Sequence, residues 1–252
     1  MRTILSLGTV GSADEEPSHS GPAPVGPPLN AKWDGRPDDY DRLRECWLNR
    51  RRLNFITEFL QGLNPPPGSR VLEVGSGTGW LLHHLALRLS MLEFRGLEPD
   101  SSYVDFANRR ATTPNERTTW GRAEDIPASL GSSFAVILSN DVLHHVQSQK
   151  LAFAGVASVA THRAVWLAIE LNVLNPYSFV RQQFGFGERN FFPGAAARVA
   201  AEVGWRLTAR GNLFLIPPFV RAPQEWMLSL ERHLELSPVL AGGLWLRFRR
   251  RG

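Results

Sequence analysis

The apolar positions of this chain fall into alternating helical and strand-like runs. Leu43, Trp47, Leu48, Phe55, Ile56, Phe59 and Leu60 recur at helical intervals. They predict an amphipathic helix over 37–62, with Asp38 or Asp39 as its cap and Asn64-Pro65-Pro66-Pro67-Gly68 as its stop. Val71, Leu72 and Val74 then form a short apolar run, the mark of a buried central strand. Gly75, Gly77 and Gly79 interrupt it, and Leu81, Leu82, Leu85 and Leu89 return at helical spacing over 80–90. The same reading gives a strand at about 92–98, a helix at 101–111, and strands at 118–121 and 134–139. A helix from about 142 to 160 and a strand at 164–170 follow. Such alternation predicts a doubly wound α/β fold, with a mostly parallel sheet, helices on both faces and ligands at the carboxyl ends of the strands.

The rhythm fails over 173–194, where Tyr177, Phe179, Phe184, Phe186, Phe191 and Phe192 crowd a segment broken by Gly and Pro. A packed lid and an apolar substrate cleft both fit that composition. Ala195 to Val203 reads as a short helix. Trp205 to Ile216 and Leu244 to Phe248 read as strands, joined across a helix from Gln224 to Leu236, for seven strands in all.

Composition changes this picture at the ends. Residues 1–36 are rich in Gly, Pro and Ser, which predicts a disordered tail ahead of one domain spanning 37–252. With 43% hydrophobic residues the chain can fill a core without covalent staples. The single cysteine, Cys46, excludes an intrachain disulfide, and no apolar run is long enough to span a bilayer. Together these point to the cytoplasm. Arg247, Arg249, Arg250 and Arg251 account for the whole formal charge of +4. The body is therefore balanced, which argues against nucleic acid as a partner.

The candidate chemistry starts at the loop Glu73 to Gly79, E-V-G-S-G-T-G. Strand, glycine loop and helix bring a nucleotide-like ligand against bare backbone at a helix N-terminus. Gly75 and Gly77 allow the tight turn, and a Cβ at either is expected to clash with that ligand. Position 80 is Trp, where the dinucleotide fingerprint wants glycine. Glu98 closes the second strand in G-L-E-P-D, placed to accept hydrogen bonds from ribose hydroxyls.

With Ala123-Glu124-Asp125-Ile126-Pro127 and S-N-D-V-L-H-H-V, this ordered set resembles the class I S-adenosylmethionine-dependent methyltransferases in their small-molecule branch. The resemblance covers residues 38–172 well and the remainder loosely. It implies a Rossmann-like sheet with a helix at 37–62 over the cofactor pocket and an antiparallel hairpin at the sheet edge. It further implies S-adenosylmethionine as methyl donor, held by Glu73, Gly75, Ser76, Gly77, Gly79, Glu98, Pro99, Ala123, Glu124, Asp125 and Asn140. Glu73 would support the methionine amino group, and Glu124 and Asp125 would lie near the adenine amine. Tyr40 would act as a lid residue, and His145 and Asn172 would lie toward the substrate. No metal is implied.

Asn140 and Asp141 are good caps for the helix expected from 142. His144 would then lie in its first turn, where the helix dipole disfavours imidazolium and leaves a neutral base. The resemblance assigns a general base to that position, with Glu170 at the end of the fifth strand to orient it or to bind a substrate hydroxyl. His145, about 100° further around the helix, would not share the face of His144 and would serve as a packing or loop contact on the substrate side. Ile216-Pro217-Pro218-Phe219 looks like the tetrad of base-amine methyltransferases but falls after the sixth strand, so it reads as a loop. The reaction expected is methyl transfer to a small-molecule acceptor, most simply a hydroxyl. Transfer to RNA or protein, and a binding module without catalysis, remain alternatives, and the oligomeric state is open, a homodimer included.

Overall fold

The computed structural model describes residues 36–176, 190–214, 216 and 223–251. The tail expected over 1–36, the aromatic residues Tyr177, Phe179, Phe184 and Phe186, and Pro217 to Phe219 lie outside this set, apart from Arg36.

In chain order the elements are α1 (Pro37–Arg44), α2 (Trp47–Leu63), β1 (Arg70–Val74), α3 (Trp80–Arg88), β2 (Glu93–Glu98), α4 (Ser101–Arg110) and β3 (Glu116–Trp120). Then come β4 (Phe134–Asn140), α5 (Gln149–Val159), β5 (Ala160–Leu171), α6 (Pro193–Glu202), β6 (Trp205–Leu213), α7 (Glu225–Leu234) and β7 (Gly243–Arg250). The seven strands make one sheet in the order β3-β2-β1-β4-β5-β7-β6. β1 to β5 pair in parallel, while β7 runs antiparallel to both β5 and β6. This is the doubly wound sheet that the alternation implied, with the antiparallel edge that the resemblance implied.

Successive strand residues point to opposite faces, so each strand feeds two cores. On one face Leu72, Phe134, Ile137, Trp166 and Phe248 meet Phe153 of α5 and Trp205. On the other, Val71, Phe94, Val136, Leu138 and Leu167 meet Leu53, Ile56 and Leu60 of α2 and Leu85 of α3. Parallel register brings Val74 beside Leu97 and Ser139, and Ser139 beside Ala168. The strand ends that carry Glu98, Asn140 and Glu170 therefore meet at one edge of the sheet. Among the described residues, no helix is long and apolar enough to cross a membrane.

Two expectations are corrected. The helix expected over 37–62 is two helices, because Cys46 takes an extended conformation, at φ −121° and ψ 162°. The periodicity continues across the break, but the contacts differ. α2 packs on the sheet, whereas α1 buries no residue and is held at the site by polar contacts.

The helix expected from 142 begins at Gln149 instead, capped by the Ser148 hydroxyl, which accepts from the Leu151 amide. Asp141 sits in the left-handed region, at φ +54°, and the Val142 and Leu143 amides are taken by Glu170 of β5. A tertiary carboxylate thus replaces the cap that Asn140 and Asp141 were expected to provide.

Candidate functional site

A cavity of about 440 Å³ opens at the carboxyl ends of β1, β2 and β4, with Tyr40, Gly77, Glu98, Ala123, Asn140 and His144 among its walls. At its base lies the glycine loop. Gly77, at φ +55°, faces the open space, and a Cβ there would stand 3.5 Å from Tyr40 Cε1. Gly75 has another reason to be glycine. Its Cβ would come within 2.5 Å of Val142 Cγ2, so the clash is with the loop after β4 rather than with a ligand. At Gly79 a Cβ would press on Ala107 of α4, at 2.9 Å.

Glu98 is buried. One of its oxygens accepts from the Gly77 amide at 2.7 Å and the other from the Asp100 amide at 3.1 Å. Burial pushes this carboxyl up to about 7, against the pull of those two amides. Burial also pushes Glu73 up to about 8, with the Arg44 guanidinium opposing it. Glu73 Oε2, Ser76 Oγ and Asn140 Oδ1 are buried without a hydrogen-bond partner. They border a recess shared with Arg44, Asn49, Arg52 and Thr78, and Arg44, Asn49, Arg52 and Asn140 are walls of the main cavity as well. Buried acceptors of this kind are costly unless water or a ligand pairs with them.

α1 covers this region. Asp41 pairs with Arg110 of α4 and accepts from Thr78 Oγ1 at 2.8 Å, and Glu45 accepts from Trp80 Nε1 at 2.8 Å. Tyr40 stacks on Tyr103 with ring centroids 5.2 Å apart. Toward the other end, Pro99, Ala123 and Glu124 line the cavity, and Glu124 Oε1 accepts from the Gln147 amide at 2.8 Å. Asp125 does not join them. It is exposed on a turn closed by the Arg122–Asp125 bridge and lies outside the lining, which corrects its expected place.

His144 and Glu170 are brought together. His144 Nδ1 stands 2.7 Å from Glu170 Oε2, both side chains are buried, and His144 borders the cavity. Glu170 Oε1 also accepts from the Val142 and Leu143 amides, at 3.1 and 2.7 Å. With Glu170 Oε2 at hydrogen-bond distance as the acceptor, the imidazole proton lies on Nδ1 and the basic lone pair on Nε2. His144 lies in a loop rather than in a helical first turn, so the expected dipole effect is replaced by Glu170.

His145 does not face away from His144. The ring centroids are 3.8 Å apart, because the turn closed by His145 N on Val142 O folds the two residues together. Asn172 does not line the cavity. Its amide donates to the Pro238 and Ala241 carbonyls and its oxygen accepts from the Leu174 amide, so it fastens the loop before β7.

Several cavity residues escaped the sequence reading: Arg44, Asn49, Arg52, Tyr103, Asp141 and Gln147. Arg52 had one available signal. It lies in register with Leu48 and Ile56, on the buried stripe of α2, where a cation needs a partner. Among the described residues, no group of three or more His, Cys, Asp or Glu is arranged to hold a metal ion.

Residues 71–162 match the family model described as a methyltransferase domain. Among curated proteins, the cyclosporin synthetase of Tolypocladium inflatum is 38% identical over 79 residues. That stretch is 31% of this chain and rounds to 0% of the synthetase, so the chain spans only a minute part of that relative. Among solved structures, a magnesium protoporphyrin IX methyltransferase from Synechocystis with bound S-adenosylhomocysteine superposes with a TM-score of 0.61 at 13% identity, covering 84% of this chain and 93% of that one. An S-adenosylmethionine-dependent methyltransferase from Clostridium acetobutylicum gives 0.61 at 10% identity, over 85% and 99% of the two chains. A TehB-like methyltransferase from Corynebacterium glutamicum gives 0.55 at 17% identity, over 85% and 98%. At these identities the likeness is one of fold.

Proposed function

Because the chain carries a methyltransferase domain on the class I S-adenosylmethionine-dependent methyltransferase fold, we propose that it transfers a methyl group from S-adenosylmethionine to a hydroxyl oxygen of a small molecule, with His144 as general base. The observation that carries the hydroxyl reading is the His144–Glu170 pair at the cavity wall.

The residues present fit the donor. Glu73 Oε2 and Asn140 Oδ1, both buried and unpaired, suit a cationic amino group, and Arg44 beside them suits a carboxylate. Glu98 suits a ribose diol. Its two oxygens are already oriented by the Gly77 and Asp100 amides and keep further lone pairs. Pro99, Ala123 and Glu124 would border the adenine. When bound, the donor supplies an electrophilic methyl on a sulfonium.

The protein's own work is then positioning and proton removal. Holding donor and acceptor in line contributes up to about 7–11 kcal/mol in the best intramolecular models. His144 Nε2 takes the acceptor hydroxyl proton as the oxygen–methyl bond forms, and Glu170 stabilises the resulting imidazolium through Nδ1–H. A neutral hydroxyl needs such a base, whereas a neutral amine does not.

The test is His144→Ala with the acceptor found by screening substrate pools for S-adenosylhomocysteine release. The maximal rate should fall by about 10²–10⁴-fold, with donor affinity unchanged. Near wild-type turnover would refute general-base catalysis here and leave the fold assignment intact.

A further inference from the structure

We infer that the Arg52–Asp141 ion pair is a positioning device, which fixes helix α2 to the loop carrying His144 and sets the electrostatic field at that imidazole. The inference rests on His144 being the base. Arg52 lies on the buried stripe of α2, and its guanidinium donates to Asp141 Oδ2 and, at 3.4 Å, to Asn49 Oδ1. Asp141 holds a left-handed conformation, at φ +54°, which Asp and Asn adopt more readily than other non-glycine residues. Its amide is tied to Ile169 O at 2.8 Å, and the next residues, Val142 and Leu143, are tied to Glu170.

The loop is therefore clamped from two sides, by β5 through Glu170 and by α2 through Arg52. His144 lies three residues beyond Asp141 and at the same cavity wall. A pair of this kind is seldom kept for stability alone, since burying two charges costs about what their attraction returns. Its use is geometric. α2 lies over one face of the sheet and its Arg52 borders the cavity, so docking α2 and seating the base become one event.

The groups that bear on His144 are Glu170 from β5, Asp141 from its own loop and the His145 ring, and Arg52 from α2 and Arg44 from α1 act on Asp141 in turn. The signs of two substitutions follow from them. Asp141→Asn removes an anion, keeps the shape and tolerates positive φ, so the imidazolium loses support and the His144 pKa falls. Arg52→Met leaves Asp141 unpaired, so the imidazolium gains support and the pKa rises. A merely structural pair would move neither, or both the same way.

The experiment is the titration of the ¹⁵N-labelled imidazoles by NMR in wild type, Arg52→Met and Asp141→Asn, beside the pH dependence of kcat and the donor Kd. The inference expects opposite displacements of the His144 pKa and a kcat lowered about 10-fold or more in both variants at saturating donor. Opposite displacements without the matching movement of the kcat limb would support the coupling and remove His144 as the base. A His144 pKa that stays put, or moves the same way in two folded variants, overturns the inference. Arg52→Lys is the control for folding. It should restore the wild-type titration and part of kcat, and its failure to do so while folded also counts against the pair.

Discussion

At the scale of single residues, the cavity is set by carboxyl groups that burial has moved away from their ordinary range. Glu98 is pushed up to about 7 and Glu73 to about 8, in each case first by desolvation. The folded, unliganded protein favours their neutral forms. Their stabilising contribution is full below the ordinary carboxylate pKa of 4.5 and is lost as the pH rises through 7 to 8. Glu98→Gln mimics the neutral form, so wild type should lose stability relative to this variant between pH 5 and 8, by about 1–3 kcal/mol. Denaturant unfolding across that range checks it, and parallel curves would remove the Glu98 shift. A donor that brings an ammonium and ribose hydroxyls favours the ionised carboxylates. Its Kd should tighten from pH 6 to 8, with proton release measurable by calorimetry in buffers of different ionisation enthalpy. In Glu98→Ala, donor binding should weaken by about 1.5–3 kcal/mol.

At the scale of elements, α1 is the part that a local change can detach. It buries no residue, and it is held through Asp41 to Arg110 and Thr78, Glu45 to Trp80, and Tyr40 on Tyr103. Elements with few buried contacts open at low free energy without unfolding the rest. Asp41→Asn should therefore speed amide exchange over 37–44 and the release of bound donor, and lower Tm by only about 2 °C. Unchanged protection in α1 would mean that the aromatic stack alone holds it.

At the scale of the whole molecule, the site hangs on two cores that share one sheet. Trp166 is fully buried between Phe153, Trp205 and Phe248, and its indole donates to Ser139 Oγ at 2.9 Å, one residue before Asn140 of the site. Trp166→Ala should cost about 3–5 kcal/mol, a fall in Tm on the order of 10 °C for a domain of this size. Ligand binding reports through the same global equilibrium. Saturating S-adenosylmethionine at about 100 times Kd should add about 2.7 kcal/mol to wild type. Gly77→Val, which fills the space below Tyr40, should abolish that shift. A folded variant that keeps the full shift would show that Gly77 is not against the donor.

The sequence alone determined what is local and periodic. Short apolar runs alternating with amphipathic ones specified a doubly wound sheet, and E-V-G-S-G-T-G with Glu98 pointed to the edge where the cavity opens. Those signals are readable because a buried strand and a glycine turn impose their residue types directly on the chain. The pairings were decided only by tertiary structure. Arg52 meets Asp141 from 89 residues away, and Glu170 displaces the expected cap of Asn140 and Asp141 to hold the loop of His144. Asp125, Asn172 and the outward His145 were misplaced for the same reason, since a polar side chain's direction depends on partners that periodicity does not encode. Gly75 and Gly77 look equivalent in the chain, yet one is required by Val142 and the other faces the cavity. That difference exists only once the strands have brought their ends together.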